Sequence, residues 1–191
     1  MNVFAVGLGL IVFNTRSFAQ EVTSSLSDLP EDSISLEEMI GQMIITGIGD
    51  FSYITEKEEI LNEIEKGYVT GVVLFEKNIN KKSPEKQLKR TIDMLQSKSA
   101  IPLFISIDEE GGRVNRLKPK YGFPETVKAQ YLGDIDNLDS TSFYAHKTAR
   151  LLANLGININ LAPNVDVDIN PKNPVIGGMG RSYSSDEKVV A

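Results

Sequence analysis

Residues 71–107 read GVVLFEKNINKKSPEKQLKRTIDMLQSKSAIPLFISI and hold two short apolar runs, Gly71–Phe75 and Leu103–Ile107, on either side of a helical stretch. Ser83-Pro84 opens that helix, with Pro at the first helical position, and Leu88, Ile92 and Leu95 recur on one face. Neither apolar run alternates with polar residues, so each predicts a strand buried on both faces, as in a parallel sheet. The same unit recurs outward. Met43–Thr46 predicts a strand, followed by a helix over Thr55–Lys66 that carries Ile60, Leu61 and Ile64 and closes at Gly67. Further on, a helix over Ser140–Leu155 ends at Gly156, and Ile157–Leu161 predicts a fourth strand. The first two intervals between strand starts are roughly 30 residues, the length of one βα unit in an eight-unit barrel. The third is longer because it holds a loop, Glu109–Gly133. An open doubly wound sheet remains the alternative, since periodicity alone does not separate the two.

Composition narrows the functional classes. The 191 residues carry 20 Lys+Arg against 26 Asp+Glu, a net charge of -6, which disfavours nucleic acid or anionic lipid as a partner and favours a small or neutral molecule. The absence of Cys removes a thiol nucleophile, a Cys-containing zinc site and a lipid-anchor cysteine. With one His, His146, placed mid-helix among Tyr144, Lys147 and Arg150, the chain offers neither a Ser-His-Asp triad nor a multi-histidine metal site, and no cofactor is expected. At 191 residues the chain is also shorter than the roughly 250 of a closed (β/α)8 barrel.

The amino terminus reads as a targeting segment. Val3–Phe13 is an uncharged apolar run of eleven residues, too short for the ~20 needed to span a bilayer. Ser17 and Ala19 give the small-x-small pattern of a signal-peptidase site, so residues 1–19 are expected to be a signal peptide and 20–34 a polar lead-in. No Lys or Arg precedes the apolar run, and a buried first strand or helix is the alternative. Export to a periplasmic or extracellular location follows from the first reading, without stable membrane insertion after cleavage.

Two partial motifs carry no function. Gly47-Ile48-Gly49 begins like a dinucleotide loop, but Ser52 stands at the third glycine position. Asp166, Asp168 and Asn170 have the spacing that opens an EF-hand, yet Pro171 replaces its glycine and Gly177 its closing glutamate.

The informative stretch is Ile105–Leu117, ISIDEEGGRVNRL, with three carboxylates, two glycines and two arginines at the end of the third predicted strand. Charges beside an apolar strand require solvent or a polar ligand. Paired glycines permit a tight turn that brings Asp108 and a downstream guanidinium to one pocket. Carboxylates accept hydroxyl hydrogen bonds and Arg offers fixed donors, a set suited to a polyhydroxylated ligand; a rim of salt bridges accounts for the residues equally well.

IDEEGGRVNRL resembles the IDxEGGRV signature of the glycoside hydrolase family 3 catalytic domain, in its bacterial β-N-acetylglucosaminidase branch. SLEEMIGQMIITG, GVVLFEKNI, FPETV and the segment ANLGININLAPNVDVDINPKNPVIGGMGRSYSSDEKVVA follow the same order, so the resemblance runs from Ser35 to Ala191. It implies a (β/α)8 TIM barrel of which about the first four βα units are present, over 35–191. It also implies a β-N-acetylhexosaminidase removing non-reducing β-linked N-acetylglucosamine from peptidoglycan fragments or chito-oligosaccharides by a retaining mechanism. Asp108, Arg116 and Arg181 match the positions that bind the sugar. Glu110 and Arg113 are expected to form an ion pair supporting the loop, and Asp166 and Asp168 to shape the rim. The family's nucleophilic Asp and its acid/base His loop match nothing in this sequence, so no catalytic residue is assigned. Asp108 and Glu110, two residues apart at one strand end, would approach one side of a ligand rather than flank a scissile bond. Ser184-Ser185-Asp186-Glu187 begins a helix with a capping box just before Ala191, and the sequence is accordingly expected to be the amino-terminal half of a longer enzyme. A non-catalytic sugar-binding module and a β-glucosidase-like member are the alternatives.

Overall fold

A computed structural model of the protein describes residues 35–50 and 58–191, together with the backbone of two strands, β1 (Asn2–Val6) and β2 (Leu10–Asn14). The other strands are β3 (Ile45–Gly47), β4 (Gly71–Leu74), β5 (Phe104–Ile107) and β6 (Ile159–Asn160). The helices are α1 (Leu36–Gly41), α2 (Glu59–Glu65), α3 (Pro84–Ser97), α4 (Ala129–Ile135), α5 (Leu138–Leu155) and α6 (Glu187–Val190).

Strands β3 to β6 are parallel and lie side by side in sequence order. Thr46 pairs with Val72, Val72 with Ile105, and Ser106 with Ile159. A doubly wound sheet reverses its strand order at a switch point. Here each helical connection returns the chain to the next strand on the same side, so the four form one arc of a barrel. The alternative left open by periodicity is thereby decided.

The helices are held by the apolar faces legible in their sequence. Leu88, Ile92 and Leu95 of α3, Leu61 and Ile64 of α2, and Ala149, Leu152 and Leu155 of α5 form one core with Val72, Leu74, Ile105 and Ile107 of the sheet. Each fully buried Leu or Ile contributes roughly 1.5–3 kcal/mol. Polar side chains extend the ladder where β6 is short. Asn158 Oδ1 accepts from Ile105 N at 2.7 Å, its Nδ2 donates to the Leu103 carbonyl at 2.9 Å, and the buried Ser106 hydroxyl donates to the Val72 carbonyl at 2.8 Å.

Element ends differ from the sequence expectations in instructive ways. A capping box at Ser35 and Glu38 opens α1, which runs to Gly41, so Gln42 and Met43 are used in a turn and the strand expected from Met43 begins only at Ile45, leaving Met43 85% exposed. The long helix begins at Leu138 because the Asn137 side chain caps it, accepting from Ser140 N at 2.8 Å; Gly156, at φ 87°, ends it. Asp186, rather than Ser184, is the N-cap of α6 and accepts from Lys188 N. The long loop is not structureless, since it contains a 3-10 turn at Pro119–Tyr121 and α4.

The expected leader overlaps β1 and β2, an antiparallel hairpin whose second strand pairs antiparallel with β6. Its other residues, the lead-in 20–34, Ser52 and the expected helix start at Thr55 lie outside the described residues. No helix among the described residues is long and apolar enough to cross a membrane.

Candidate functional site

The chain leaves β5 at Ile107 and enters the acidic run directly. Asn160, at the end of β6 and buried, clamps the middle of that run: its Oδ1 accepts from Glu109 N and its Nδ2 donates to the Glu109 carbonyl, both at 3.0 Å. Alternation along an extended chain then separates the three carboxylates. Glu109 is 3% exposed, whereas Asp108 and Glu110 are intermediate and reach guanidinium groups.

Asp108 accepts from Arg116 through Oδ2 and Nη2 at 2.9 Å. The turn that makes this possible is the one the paired glycines suggest. Glu110 N and Gly111 N both donate to the Val114 carbonyl, at 3.0 and 3.1 Å, and Gly111 and Gly112 adopt φ values of 91° and 58°. A Cβ at Gly111 would also lie 2.1 Å from the Val127 carbonyl oxygen, so no other residue fits there. Inside the turn, Glu109 Oε2 accepts from Arg116 N at 2.9 Å and Leu117 N at 3.0 Å.

Glu110 meets Arg181 in a two-point pair, Nε to Oε2 at 2.7 Å and Nη2 to Oε1 at 2.6 Å. This corrects the expected Glu110–Arg113 pair. Arg113 sits at the exposed tip of the Gly111–Val114 hairpin, and both oxygens of Glu110 are already engaged. Arg181 arrives on the loop after β6. The buried Ser182 hydroxyl lies within hydrogen-bond reach of the Asp166 and Ser184 carbonyls, at 2.6 and 2.9 Å, and Gly180 accepts from Gln130 N at 3.2 Å. Asp168 N bonds the Ser184 carbonyl, and Asp166 closes a small turn with Asn164.

Hydrogen bonds donated to Glu110 hold the Arg181 guanidinium firmly charged, with the charges of Glu110, Asp166 and Asp108 adding to the effect and burial opposing it. Arg181 thus feels both acids of the strand end. Burial, with the Glu110 charge, pushes the Tyr183 hydroxyl up. Burial also pushes the Glu109 carboxyl up, against the Leu117 and Arg116 backbone N–H groups. The structure therefore brings Asp108, Arg116 and Arg181 to one strand end. The side chains of the Asp108–Arg116 pair are 27% and 25% exposed and those of Glu110–Arg181 are 10% and 20%, so the first pair is the more accessible to a ligand.

A neighbouring cluster was not singled out from sequence. Glu76, just past β4, pairs with Lys118, with Lys120 at 2.6 Å and with the Tyr121 hydroxyl at 3.0 Å. Hydrogen bonds from Lys118 and then Lys120 hold its carboxyl down at about 2. The signal was available, since Glu76 directly follows the apolar run Gly71–Phe75 as Asp108 directly follows Leu103–Ile107. A recess of about 680 Å3 between α3 and Tyr121–Phe123 is lined by Lys86, Lys89, Arg90 and Asp93 and by none of the candidate residues. His146 is exposed, with Nδ1 2.8 Å from the Ser142 carbonyl. Among the described residues no group of three His, Cys, Asp or Glu could hold a metal ion.

Known proteins share this arrangement of strands and sequence. A β-hexosaminidase A from Pseudoalteromonas piscicida is 33% identical over 197 residues, covering 88% of this chain and 31% of the relative. The β-hexosaminidase LpqI of Mycobacterium tuberculosis is 39% identical over 90 residues, 47% of this chain and 22% of that protein. The chain thus spans about a third or less of these curated relatives. Among solved structures, a glycoside hydrolase family 3 β-N-acetylglucosaminidase from Paenibacillus sp. str. FPU-7 superposes with a TM-score of 0.73 at 31% identity, over 83% of this chain and 29% of that one. NagZ from Neisseria gonorrhoeae, in complex with N-trifluoroacetyl-D-glucosamine, superposes at 0.61 with 26% identity, over 77% of this chain and 43% of its own. These neighbours are TIM-barrel proteins, of which this chain covers part. The Glycosyl hydrolase family 3 N terminal domain matches residues 35–191, which span the four parallel strands and both guanidinium pairs, and the chain belongs to that family.

Proposed function

We propose that this chain supplies the sugar-recognition part of a β-N-acetylhexosaminidase. The enzyme would remove non-reducing β-linked N-acetylglucosamine from peptidoglycan fragments or chito-oligosaccharides with retention of configuration. The observation that carries the reading is the partly open Asp108–Arg116 pair beside Glu110–Arg181 at the carboxyl end of β5, where parallel α/β folds place their ligands. Asp108 accepts hydroxyl hydrogen bonds, and Arg116 and Arg181 donate to the sugar oxygens. Where retention is carried out by two carboxyl groups, they stand about 5 Å apart on either side of the scissile bond. Asp108 and Glu110 each hold a guanidinium instead, so their chemistry is binding. The relatives named above support the substrate class.

In the same reading residues 1–19 are a leader removed on export, 20–34 a polar lead-in and 35–191 the family domain. Removing the leader would release β1 and β2 from β6. Mass spectrometry of the exported protein tests this, and an intact Met1 refutes it.

The binding test is titration of the full chain with N-acetylglucosamine, followed by NMR. Saturable shifts at Asp108 and Arg116 that vanish in the Asp108→Ala, Arg116→Ala double variant are expected. Binding that survives both substitutions overturns the assignment.

A further inference from the structure

Glu109 is the acid of the strand-end run that faces inward, and hydrogen bonds link it in a continuous path from Asn160 to Arg116 and Asp108. The Asn160 amide holds the Glu109 main chain at both its N–H and its carbonyl, each at 3.0 Å. The side chain then gathers Arg116 N at 2.9 Å and Leu117 N at 3.0 Å onto the single oxygen Oε2. From Arg116 the path continues through the guanidinium to Asp108 Oδ2 at 2.9 Å. The second oxygen, Oε1, is buried without a protein hydrogen-bond partner.

Burying a carboxyl is costly, and a well-packed apolar side chain is usually as stable or more so. The two N–H groups of a loop could be satisfied by solvent if the loop were free to move. A buried acid that fixes both of them is therefore an expensive way to make a loop and an effective way to fix the residue that follows. We propose that Glu109 is a positioning residue, which sets the backbone of Arg116 so that its guanidinium stays on Asp108 in the geometry that receives a sugar. The proposal rests on the sugar-binding reading for its ligand and on the hydrogen bonds alone for its geometry. One oxygen accepting two N–H bonds is available whether the carboxyl is charged or neutral, so an amide can replace it. Glu109→Gln keeps that acceptor, whereas Glu109→Met removes it at similar volume.

The experiment uses the full isotopically labelled chain and two readouts. Without ligand, the Arg116 Nε–H resonance is distinct in the wild type and in Glu109→Gln and moves to the position of a solvent-exposed arginine in Glu109→Met. With N-acetylglucosamine, Glu109→Gln binds within about two-fold of wild type, and Glu109→Met binds about ten-fold more weakly. In an Arg116→Ala background Glu109→Met adds no further loss, which a merely structural role would not produce. A folded Glu109→Met with an unchanged Arg116 resonance overturns the proposal, as does an additive loss in the double variant. Should Glu109→Met fail to fold, Glu109→Asp retains the charge but withdraws the oxygen by one methylene. A moved Arg116 resonance supports the proposal and an unmoved one overturns it. Wild type that fails to bind N-acetylglucosamine while the resonance still moves refutes the sugar reading and leaves Glu109 as the residue positioning Arg116.

Discussion

Asp108 meets an arginine eight residues away within one loop, whereas Glu110, two residues along, meets Arg181 from a separate loop 71 residues distant. The local pair is single-bonded and a quarter exposed; the distant pair is two-pointed, and Glu110 is only 10% exposed. Burial makes the two unequal. An exposed ion pair adds little stability because water competes with it, while a buried carboxylate stripped of its partner is strongly unfavourable. The local pair is thus the more open of the two, and the distant one, with Arg181 still 20% exposed, also docks the loop after β6 onto the end of β5.

Breaking the pairs one at a time tests that division. Arg181→Ala strands Glu110 and is expected to cost about 3 kcal/mol of unfolding free energy in denaturant titrations. A cost no greater than that of Arg116→Ala would remove the distinction. Gly111→Ala introduces a contact with the Val127 carbonyl at a positive-φ position and is expected to cost about 2 kcal/mol, with loss of the Asp108–Arg116 pair in the NMR spectrum. Arg116→Ala is expected to cost about 1 kcal/mol or less while weakening N-acetylglucosamine binding about ten-fold, to a level still measurable.

The Glu76 cluster sharpens the comparison through pH. A carboxyl held down at about 2 in the folded protein stabilises above its ordinary value of 4.5, and that contribution is lost as pH falls from 4.5 to about 2. Glu109 has the opposite sign. Its raised folded pKa disfavours folding above that pKa, and this penalty is relieved as pH falls back towards the ordinary value. The difference in melting temperature between wild type and Glu76→Gln is therefore expected to shrink across pH 4.5 to 2 and to vanish below. A difference that is constant with pH would contradict the clamp. The smallest effect is expected at the hairpin tip, where Arg113→Ala should change stability by less than about 0.5 kcal/mol.

Legibility follows the range of the interactions. The strand runs, the helix faces at Leu88, Ile92 and Leu95, the capping box at Ser35 and the turn at Gly111-Gly112 are all readable, because each depends on residues within a few positions of one another. Asp108 and Arg116 are readable for the same reason. The partner of Glu110 is not. Arg113 is near in sequence, and nothing local says that the hairpin turns it outward. Asn160 is likewise silent in the sequence, since its amide matters only when β6 lies beside β5.

By itself the sequence determined a chain of βα units, the acidic strand end and the family to which its signature points, because periodicity, turn chemistry and strand-end position are local properties. The tertiary structure alone decided that the strands follow one another in an arc, that Glu109 turns inward while its neighbours turn out, and that Arg181 belongs to Glu110. Each of those outcomes is a contact between segments far apart in the chain. Its energy depends on burial and two-point geometry, which exist only once the parallel sheet has set its register.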